Sequence, residues 1–336
     1  MNIGIIGSGS WGTALANVLA DNRHQPLIYG KDLDEVVDIS RYHQNEKFFP
    51  NVRLNDQIMA TGDMKRMADC DMIVLAVPTA AVESVCLQLN EILKKPTIIV
   101  NVAKGFHPVS HKRLSEVITE TVSSDLLKDV VSLIGPSHAE EVVVRLMTSI
   151  NAVCENEASA KVVQETFSNN YFRVYTTTDV IGAEVGVGIK NIIAIASGIL
   201  SGLGLGDNAR AALMTRGLAE MSRYGVAMGG KSETYLGLTG VGDLIVTCTS
   251  VHSRNYQAGL IIGKANSAKP FWDNNTKTVE GVKAAKVIYE ESVRLNISMP
   301  ITEQVYKILY EEAKPSEAAV NLMQRELKSE FQEENI

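Results

Sequence analysis

The sequence predicts an α/β fold: a mostly parallel sheet with helices on both faces in the first half, followed by an all-α second half. Three observations favour this fold. Short β-branched runs alternate with helical patterns up to about residue 178, which is typical of βαβ units. The runs at 70–78 and 96–103 are almost continuously apolar, as strands buried on both faces of a sheet are. Beyond residue 178 the apolar residues keep helical spacing.

These patterns divide the chain into a first domain over 1–178 and a helical second domain over 179–336. The predicted strands are the runs at 3–6, 26–30, 70–78, 96–103, 129–135, 149–153 and 171–175. The helical patterns of the second half start at Asp179 (through Gly198 or beyond) and at Asp207 (to about Met228), each aspartate acting as an N-cap, and continue at 254–264, 280–294, 299–312 and 315–330. The charged end, Glu326 to Asn335, is expected to be a solvated terminus.

Composition and charge exclude several classes of protein. The net charge of −7 and the pI near 5.5 argue against nucleic-acid binding. The four cysteines are scattered without a C-x-x-C pair, so we expect reduced thiols in a cytoplasmic protein, and the six scattered histidines predict no metal site. Because a strand is predicted at the very start of the sequence, we expect no signal peptide. The apolar stretch 185–205 contains a lysine and glycines, which favours a buried core helix over stable membrane insertion.

A glycine loop follows the first strand directly. The strand at 3–6 runs into GSGSWG, with Gly7, Gly9 and Gly12, and a helix-forming stretch begins at Thr13. Strand, G-x-G-x-x-G and helix in this order are typical of a Rossmann-type dinucleotide-binding domain. Gly7 would allow a tight turn, Gly9 would let the backbone approach a pyrophosphate, and Gly12 would let helix and strand pack closely. The pyrophosphate would then lie at the positive end of the helix.

The end of the second strand indicates which dinucleotide is bound. In NAD-binding domains an acidic residue about 20 residues past the loop binds the ribose. Here the sequence reads YGKD, which places Lys31 before Asp32. A cation at this position suits a 2′-phosphate, so NADPH is the favoured donor, while Asp32 keeps NADH possible. The alternative interpretation of Lys31 is a solvated loop lysine.

A lysine in the apolar stretch is the first candidate for catalysis. Between Val185 and Ala196 the only polar side chains are Lys190 and Asn191. No carboxylate lies three or four residues from Lys190, so its own helix offers no ion pair. Lys190 could bury its stem and extend its ammonium group to water. It could instead face a cleft between the domains, where burial and nearby cations would lower its pKa toward neutrality, as proton transfer requires.

The segment 238–255 predicts an anion site. Asp243 follows two glycines and could cap the helix DLIVTC. Ser253, Arg254 and Asn255 open a further helix, where a serine cap, a guanidinium and free backbone N–H groups together suit a phosphate. An ordinary N-cap with a surface arginine is the alternative.

Two further candidates follow strands of the first half. Lys104 comes after the strand 96–103, and Gly135-Pro136-Ser137 follows the strand 129–135. Because ligands of open parallel sheets bind at the carboxyl ends of the strands, both loops are placed for a site. Simple turn chemistry is the alternative for each.

Taken together, these segments identify a family resemblance. The chain resembles the bacterial NAD(P)-dependent glycerol-3-phosphate dehydrogenases over nearly its whole length. The matching segments are GSGSWGTA (7–14), AVP (76–78), NVAKG (101–105), GPSHAEEV (135–142), GIKNIIAIASGI (188–199), GLGLGDNARAALMTRGLAEM (202–221), GLTGVGDLIVTCTS (237–250), SRN (253–255) and VEG (279–281). Residues 202–221 and 237–255 go well beyond a general Rossmann signature.

The resemblance implies reduction of dihydroxyacetone phosphate to sn-glycerol 3-phosphate, a phospholipid precursor, by a homodimer. It implies Lys190 as the catalytic proton donor and acceptor. The implied cofactor contacts are Ser10, Trp11, Lys31, Lys104, Ala139, Arg254, Thr278 and Glu280. The implied substrate contacts are Lys104, Gly135, Ser137, Lys190, Asp243, Ser253, Arg254 and Asn255. His138 stands where many members have an aromatic residue, which we expect to change packing and not chemistry.

Two other functions remain open from the residues alone. A sibling dehydrogenase with a helical second domain, acting on a 3-hydroxy acid or on ketopantoate, would share the first half but has no stated need for the Ser253-Arg254-Asn255 anion site. A non-enzymatic NADP(H) sensor would share the glycine loop but would have no need for a buried lysine.

Overall fold

The computed structural model describes residues 1–276, 278–327 and 329–330, and the chain divides into two compact units, Met1–Val180 and Ile181–Ile336. The first unit contains the strands β1 (Ile3–Ile6), β2 (Leu27–Tyr29), β3 (Met59–Thr61), β4 (Met72–Leu75), β5 (Thr97–Asn101), β6 (Leu127–Ile134), β7 (Thr148–Val153) and β8 (Phe172–Thr177). Its helices are α1 (Ser10–Asp21), α2 (Leu33–Val37), α3 (Val82–Ile92), α4 (Leu114–Thr121), α5 (Ala139–Val142) and α6 (Glu157–Phe167).

The eight strands form one sheet in the order β3-β2-β1-β4-β5-β6-β7-β8. Every pairing is parallel except that of β6 with β7, which confirms the predicted mostly parallel α/β sheet. β1 lies between β2 and β4, with Ile6 opposite both Tyr29 and Leu75. From β1 the chain continues to β2 and β3 on one side of β1, and it then crosses to β4 on the other side of β1. The glycine loop therefore follows β1 at the switch point of the sheet, where open α/β sheets bind their ligands.

Two features of the sheet were not predicted from the sequence. β3 was not predicted because Met59–Thr61 contains no apolar β-branched or aromatic side chain, and its first residue, Met59, is exposed. β7 runs antiparallel to β6, with Ile134 opposite Asn151. The segment 135–147 joins β6 to β7, and α5 is its only α-helix. It turns the chain back at the carboxyl end of β6, so β7 runs in the opposite direction beside it. A parallel crossover needs a dozen or more residues and usually a longer helix.

The second unit is helical, and its described residues contain no strand. The helices that follow β8 are α7 (Val180–Gly202), α8 (Gly206–Ala227), α9 (Asp243–Thr249), α10 (Arg254–Ala265), α11 (Lys269–Asn274), α12 (Glu280–Arg294), α13 (Pro300–Tyr310) and α14 (Pro315–Met323). The predicted all-α second half is therefore confirmed. The prediction for α12 matches at both ends, whereas α11 was not predicted.

Two boundary predictions for this unit are wrong. Asp207 is not an N-cap: α8 begins one residue earlier at Gly206, whose φ of +80° suits glycine. Asp207 lies in the first turn, where its negative charge interacts favourably with the positive end of the helix dipole. Its carboxylate also pairs with Arg210. The last helix ends at Met323, short of the predicted residue 330. Most of the charged end predicted as a solvated terminus lies outside the described residues.

The helix α7 is the core of the second unit. It is the one described helix long and apolar enough to cross a membrane, and 83% of its most apolar window is buried within the protein. It packs backbone to backbone against α10: a Cβ at Gly198 would lie 2.1 Å from the Tyr256 carbonyl oxygen, and one at Gly259 would lie 2.0 Å from that of Ile195. This close approach holds the start of α10 beside the middle of α7.

Candidate active site

The glycine loop leaves open space where a dinucleotide needs it. Gly7 has a φ of +120°, and a Cβ there would lie 2.3 Å from the Ala76 carbonyl oxygen. A Cβ at Gly12 would lie 2.1 Å from the Gly7 carbonyl oxygen, so both positions require glycine for packing. A Cβ at Gly9 would meet nothing within 4 Å. Gly9 is the N-cap of α1 and offers no side-chain cap, so the first N–H groups of this helix are available to an anion.

The first turn of α1 contains a second feature that fits a ligand. The indole Nε1 of Trp11 is buried and has no hydrogen-bond partner within the described part of the chain. A buried donor normally has an acceptor from protein, water or ligand. The open face of Gly9 and this donor both fit a nicotinamide dinucleotide bound at the loop.

The two residues predicted to distinguish the cofactors differ in their surroundings. Lys31 is exposed and makes no hydrogen bond or ion pair with the described residues. Asp32 caps α2, because its Oδ1 accepts a hydrogen bond from the Asp34 amide at 3.1 Å. Its Oδ2 lies 3.1 Å from Lys47 Nζ. The Lys47 hydrogen bond is the main cause of a lowered pKa of Asp32. Sequence reasoning missed Lys47, because it lies in a loop well beyond β2.

The carboxyl ends of β5 and β6 bring three predicted residues together. Lys104 Nζ donates to the Gly135 carbonyl oxygen at 3.1 Å, and Ser137 Oγ donates to the same oxygen at 3.1 Å. His138 follows as the N-cap of α5, and Ala139 is the first residue of that helix. The loops that follow β5 and β6 therefore form one polar cluster at the carboxyl ends of these strands, which is where open parallel sheets bind ligands.

Lys190 is buried and paired. Its side chain is 2% exposed, and its ammonium group forms an ion pair with Asp243, which is 1% exposed. Nζ also donates to Thr247 Oγ1 at 3.0 Å, and that hydroxyl donates to the Asp243 main-chain oxygen at 2.6 Å. The interpretation of Lys190 as a lysine that reaches to water is wrong. Its partner comes from α9, so a search of its own helix could not find it.

Asp243 does not cap its helix. Gly242 occupies the N-cap position of α9, after a π-helical turn over Leu238–Gly242, and Asp243 is the first helical residue. Its carboxylate is directed to Lys190 and favours the charged ammonium form. Sequence reasoning also missed Thr247, although a hydroxyl one helical turn after Asp243 is a readable signal. The ion pair and the hydrogen bond hold Nζ at a fixed position, which is what a proton donor in catalysis would require.

The start of α10 has the predicted capped form. Ser253 Oγ accepts from the Tyr256 amide at 3.2 Å, which confirms Ser253 as the N-cap. The Arg254 guanidinium is exposed and forms no ion pair among the described residues. A free cation beside the open N–H groups of a 12-residue helix suits a phosphate.

Asn255 connects three helices. Its Nδ2 donates to Asn191 Oδ1 at 2.9 Å, and its Oδ1 accepts from the Gly281 amide at 2.9 Å. Asn255 is buried, and its carboxamide oxygen is already used inside the protein. The start of α12, with Glu280 as its first residue and Thr278 just before it, is thereby joined to α7. Sequence reasoning noted Asn191 only as a polar residue, although it contacts Asn255 directly.

Among the described residues, no three His, Cys, Asp or Glu side chains lie close enough together to hold a metal ion. All four cysteines are buried and free. Burial raises the pKa of the Cys248 thiol to about 12.

Comparison with known proteins identifies the family. A family model described as the NAD-dependent glycerol-3-phosphate dehydrogenase N-terminus matches residues 2–160, and the corresponding C-terminus model matches residues 179–320. Glycerol-3-phosphate dehydrogenase [NAD(P)+] from Listeria monocytogenes is 49% identical over 98% of this chain and 97% of its own length. The Enterococcus faecalis protein of the same name is 47% identical over the same shares.

A solved structure gives the same answer. The glycerol-3-phosphate dehydrogenase of Coxiella burnetii superimposes with a TM-score of 0.89 at 35% identity, over 96% of this chain and 99% of that one. The similarity thus extends through both units. The chain belongs to the NAD(P)-dependent glycerol-3-phosphate dehydrogenase family and is an oxidoreductase that uses a nicotinamide cofactor.

Proposed function

We propose that this chain reduces dihydroxyacetone phosphate to sn-glycerol 3-phosphate for glycerophospholipid synthesis, with NADPH as the favoured donor and Lys190 as the general acid. The observation that best supports the proposal is the buried Lys190–Asp243 pair with its Thr247 hydrogen bond. A sensor that only binds NADP(H) has no need for a buried ammonium group, since burying charge costs free energy.

The bound nicotinamide supplies the hydride. We assign its binding to the glycine loop, where Gly9 leaves room for a pyrophosphate and Trp11 offers a buried donor. The full set of proposed cofactor residues is Gly7, Gly9, Ser10, Trp11, Gly12, Lys31, Lys104, Ala139, Arg254, Thr278 and Glu280.

The substrate phosphate is assigned to Arg254 and the start of α10. An unpaired guanidinium can bind two phosphate oxygens at once, and the helix N-terminus adds N–H donors. Binding a phosphate remote from the ketone turns its binding energy into orientation at the reacting carbon. The proposed substrate residues are Lys104, Gly135, Ser137, Lys190, Asp243, Ser253, Arg254 and Asn255.

Lys190 protonates the oxygen of the ketone as hydride addition turns it into an alkoxide. The proton leaves Nζ, and a neutral amine remains beside Asp243 and Thr247. These two residues fix the position of Nζ and favour its ammonium form before the transfer. A positioned acid of this kind is worth about 10² to 10⁴ in rate.

The preference for NADPH is supported by Lys31, an exposed cation directly after β2 with no described partner. Lys31→Glu should raise the Michaelis constant for NADPH far more than that for NADH, because the new carboxylate repels a 2′-phosphate and tolerates a 2′-hydroxyl. Equal effects on the two cofactors would contradict the assignment.

The substrate is tested by following NADPH oxidation with dihydroxyacetone phosphate, ketopantoate and 3-keto acids in parallel. Turnover with dihydroxyacetone phosphate alone supports the proposal, and turnover with another ketone alone rejects it. We further propose a cytoplasmic homodimer without stable membrane insertion. The burial of α7 supports the last point, and light scattering of the purified protein without detergent tests the oligomeric state.

A further inference from the structure

Lys47 contacts two carboxylates that follow β2. Its Nζ lies 2.6 Å from Glu35 Oε1 and 3.1 Å from Asp32 Oδ2. Glu35 is 8% exposed, and its other oxygen accepts a hydrogen bond from Ser8 Oγ in the glycine loop. Lys47 therefore joins the end of the second strand to the loop proposed to bind the dinucleotide.

The contacts of Asp32 leave it poorly suited to bind a ribose. Its Oδ1 accepts from the Asp34 amide as the cap of α2, and its Oδ2 accepts from Lys47. An acid near this position of a dinucleotide-binding domain ordinarily accepts from the ribose 2′-hydroxyl of NAD. In this chain each oxygen already accepts one hydrogen bond, and the ion pair with Lys47 compensates the negative charge that would otherwise strengthen a hydrogen bond from the ribose.

The charge around the end of β2 depends on the same lysine. Lys47 pairs with both Asp32 and Glu35, and Lys31 lies directly before Asp32 in the chain with no described partner of its own. Without Lys47, Asp32 and Glu35 would lose the cation that they share, and Asp32 Oδ2 would lose the hydrogen bond from Nζ. A phosphate would then be repelled, and a ribose hydroxyl would find an acceptor.

We propose that Lys47 is a positioning residue that sets the preference for NADPH by neutralising and occupying Asp32. The inference rests on the proposed binding of the dinucleotide at this loop. It assigns cofactor choice to a residue outside the glycine loop and outside the end of β2 itself.

The test isolates the 2′-phosphate with two probes. Adenosine 2′,5′-bisphosphate and 5′-AMP differ only in that group, and calorimetric titration gives the dissociation constant of each. Lys47→Met should weaken the bisphosphate relative to 5′-AMP by roughly tenfold, the size expected for one uncompensated charge near a phosphate in a water-like dielectric. The ratio of kcat/KM for NADPH to that for NADH should fall in parallel. Lys94→Met is the matched control: Lys94 is similarly exposed and pairs with Asp69 at the amino end of β4.

A second substitution identifies the carboxylate involved. Asp32→Asn in the Lys47→Met protein should restore the ratio, since asparagine keeps an oxygen to cap α2 and removes the charge. Glu35→Gln in the same background should restore it less, because Glu35 is buried and bonded to Ser8, so only Asp32 can serve as the acceptor for a ribose. Lys47→Arg keeps the charge and should keep the wild-type ratio, which provides a folded variant if Lys47→Met is unstable.

An unchanged probe ratio in Lys47→Met, equal weakening of both probes, or restoration by Glu35→Gln and not by Asp32→Asn would each overturn the inference. If Lys47→Met does not fold, Lys47→Gln decides: a ratio below that of Lys47→Arg supports the inference, and equal ratios in these two variants overturn it. Failure of the proposed function is separate, because it would appear as no turnover of dihydroxyacetone phosphate with either cofactor, while the probe titrations still report on Lys47.

Discussion

The buried pair of Lys190 and Asp243 predicts that substitutions of the two residues are strongly non-additive. Both side chains are almost fully buried, at 2% and 1% exposure. Removing one partner of such a pair leaves an uncompensated charge and typically costs about 3–5 kcal/mol. Lys190→Met and Asp243→Asn should each lower the free energy of unfolding by about that amount. The double variant buries no charge, so its loss should fall short of the sum by about 2 kcal/mol or more.

Urea unfolding followed by tryptophan fluorescence measures these costs. The chain has two tryptophans, Trp11 in the first unit and Trp272 in the second, so a Trp11→Phe background reports on the unit that contains the pair. Turnover provides the complementary readout: the double variant should regain stability without regaining activity. Additive losses of stability would refute the energetic coupling. Activity restored together with stability would refute the catalytic role of Lys190.

Two further predictions concern the phosphate site and a buried acid. At saturating NADPH, Arg254→Ala should lower kcat/KM for dihydroxyacetone phosphate by about 10- to 100-fold, the worth of a charged hydrogen bond, and should lower it much less for unphosphorylated dihydroxyacetone. Equal losses for the two ketones would contradict the phosphate assignment. Burial raises the pKa of Glu220 from its ordinary 4.5 to about 7, although the hydrogen bonds that it accepts from the Ile301 and Thr302 amides lower the pKa. An acid with a raised native pKa contributes stability that is full below about pH 4.5 and is lost as the pH rises through about 7. The free energy of unfolding should fall by about 3 kcal/mol over this pH range. Glu220→Gln should remove this pH dependence, which thermal or urea unfolding at several pH values measures. The same pH dependence in both proteins would refute the prediction.

The local signals of the sequence predict much of the fold. Periodicity alone indicates α12 at both of its ends, and the serine cap places the start of α10. These features are local because a cap or an apolar stripe is written in consecutive residues. β3 was not predicted, because Met59–Thr61 contains no apolar β-branched or aromatic side chain, whereas the equally short β2 contains Ile28 and Tyr29.

The contacts of the candidate site are less predictable because they join distant parts of the chain. The sequence shows that no carboxylate lies three or four residues from Lys190, and the structure shows that Asp243 of α9 pairs with it. The Asn191–Asn255 contact and the Lys47–Asp32 contact likewise join separate elements. Residue types can be read from one sequence, but their pairing follows from how the elements pack.

We propose that Lys190 supplies the proton in the reduction of dihydroxyacetone phosphate. It is tested most directly by the rate of NADPH oxidation with that substrate, compared between the wild type and Lys190→Met, with NADPH affinity measured by calorimetry in both. We predict that turnover falls by on the order of 10² or more while NADPH binding is unchanged. Near-normal turnover in Lys190→Met would contradict the claim.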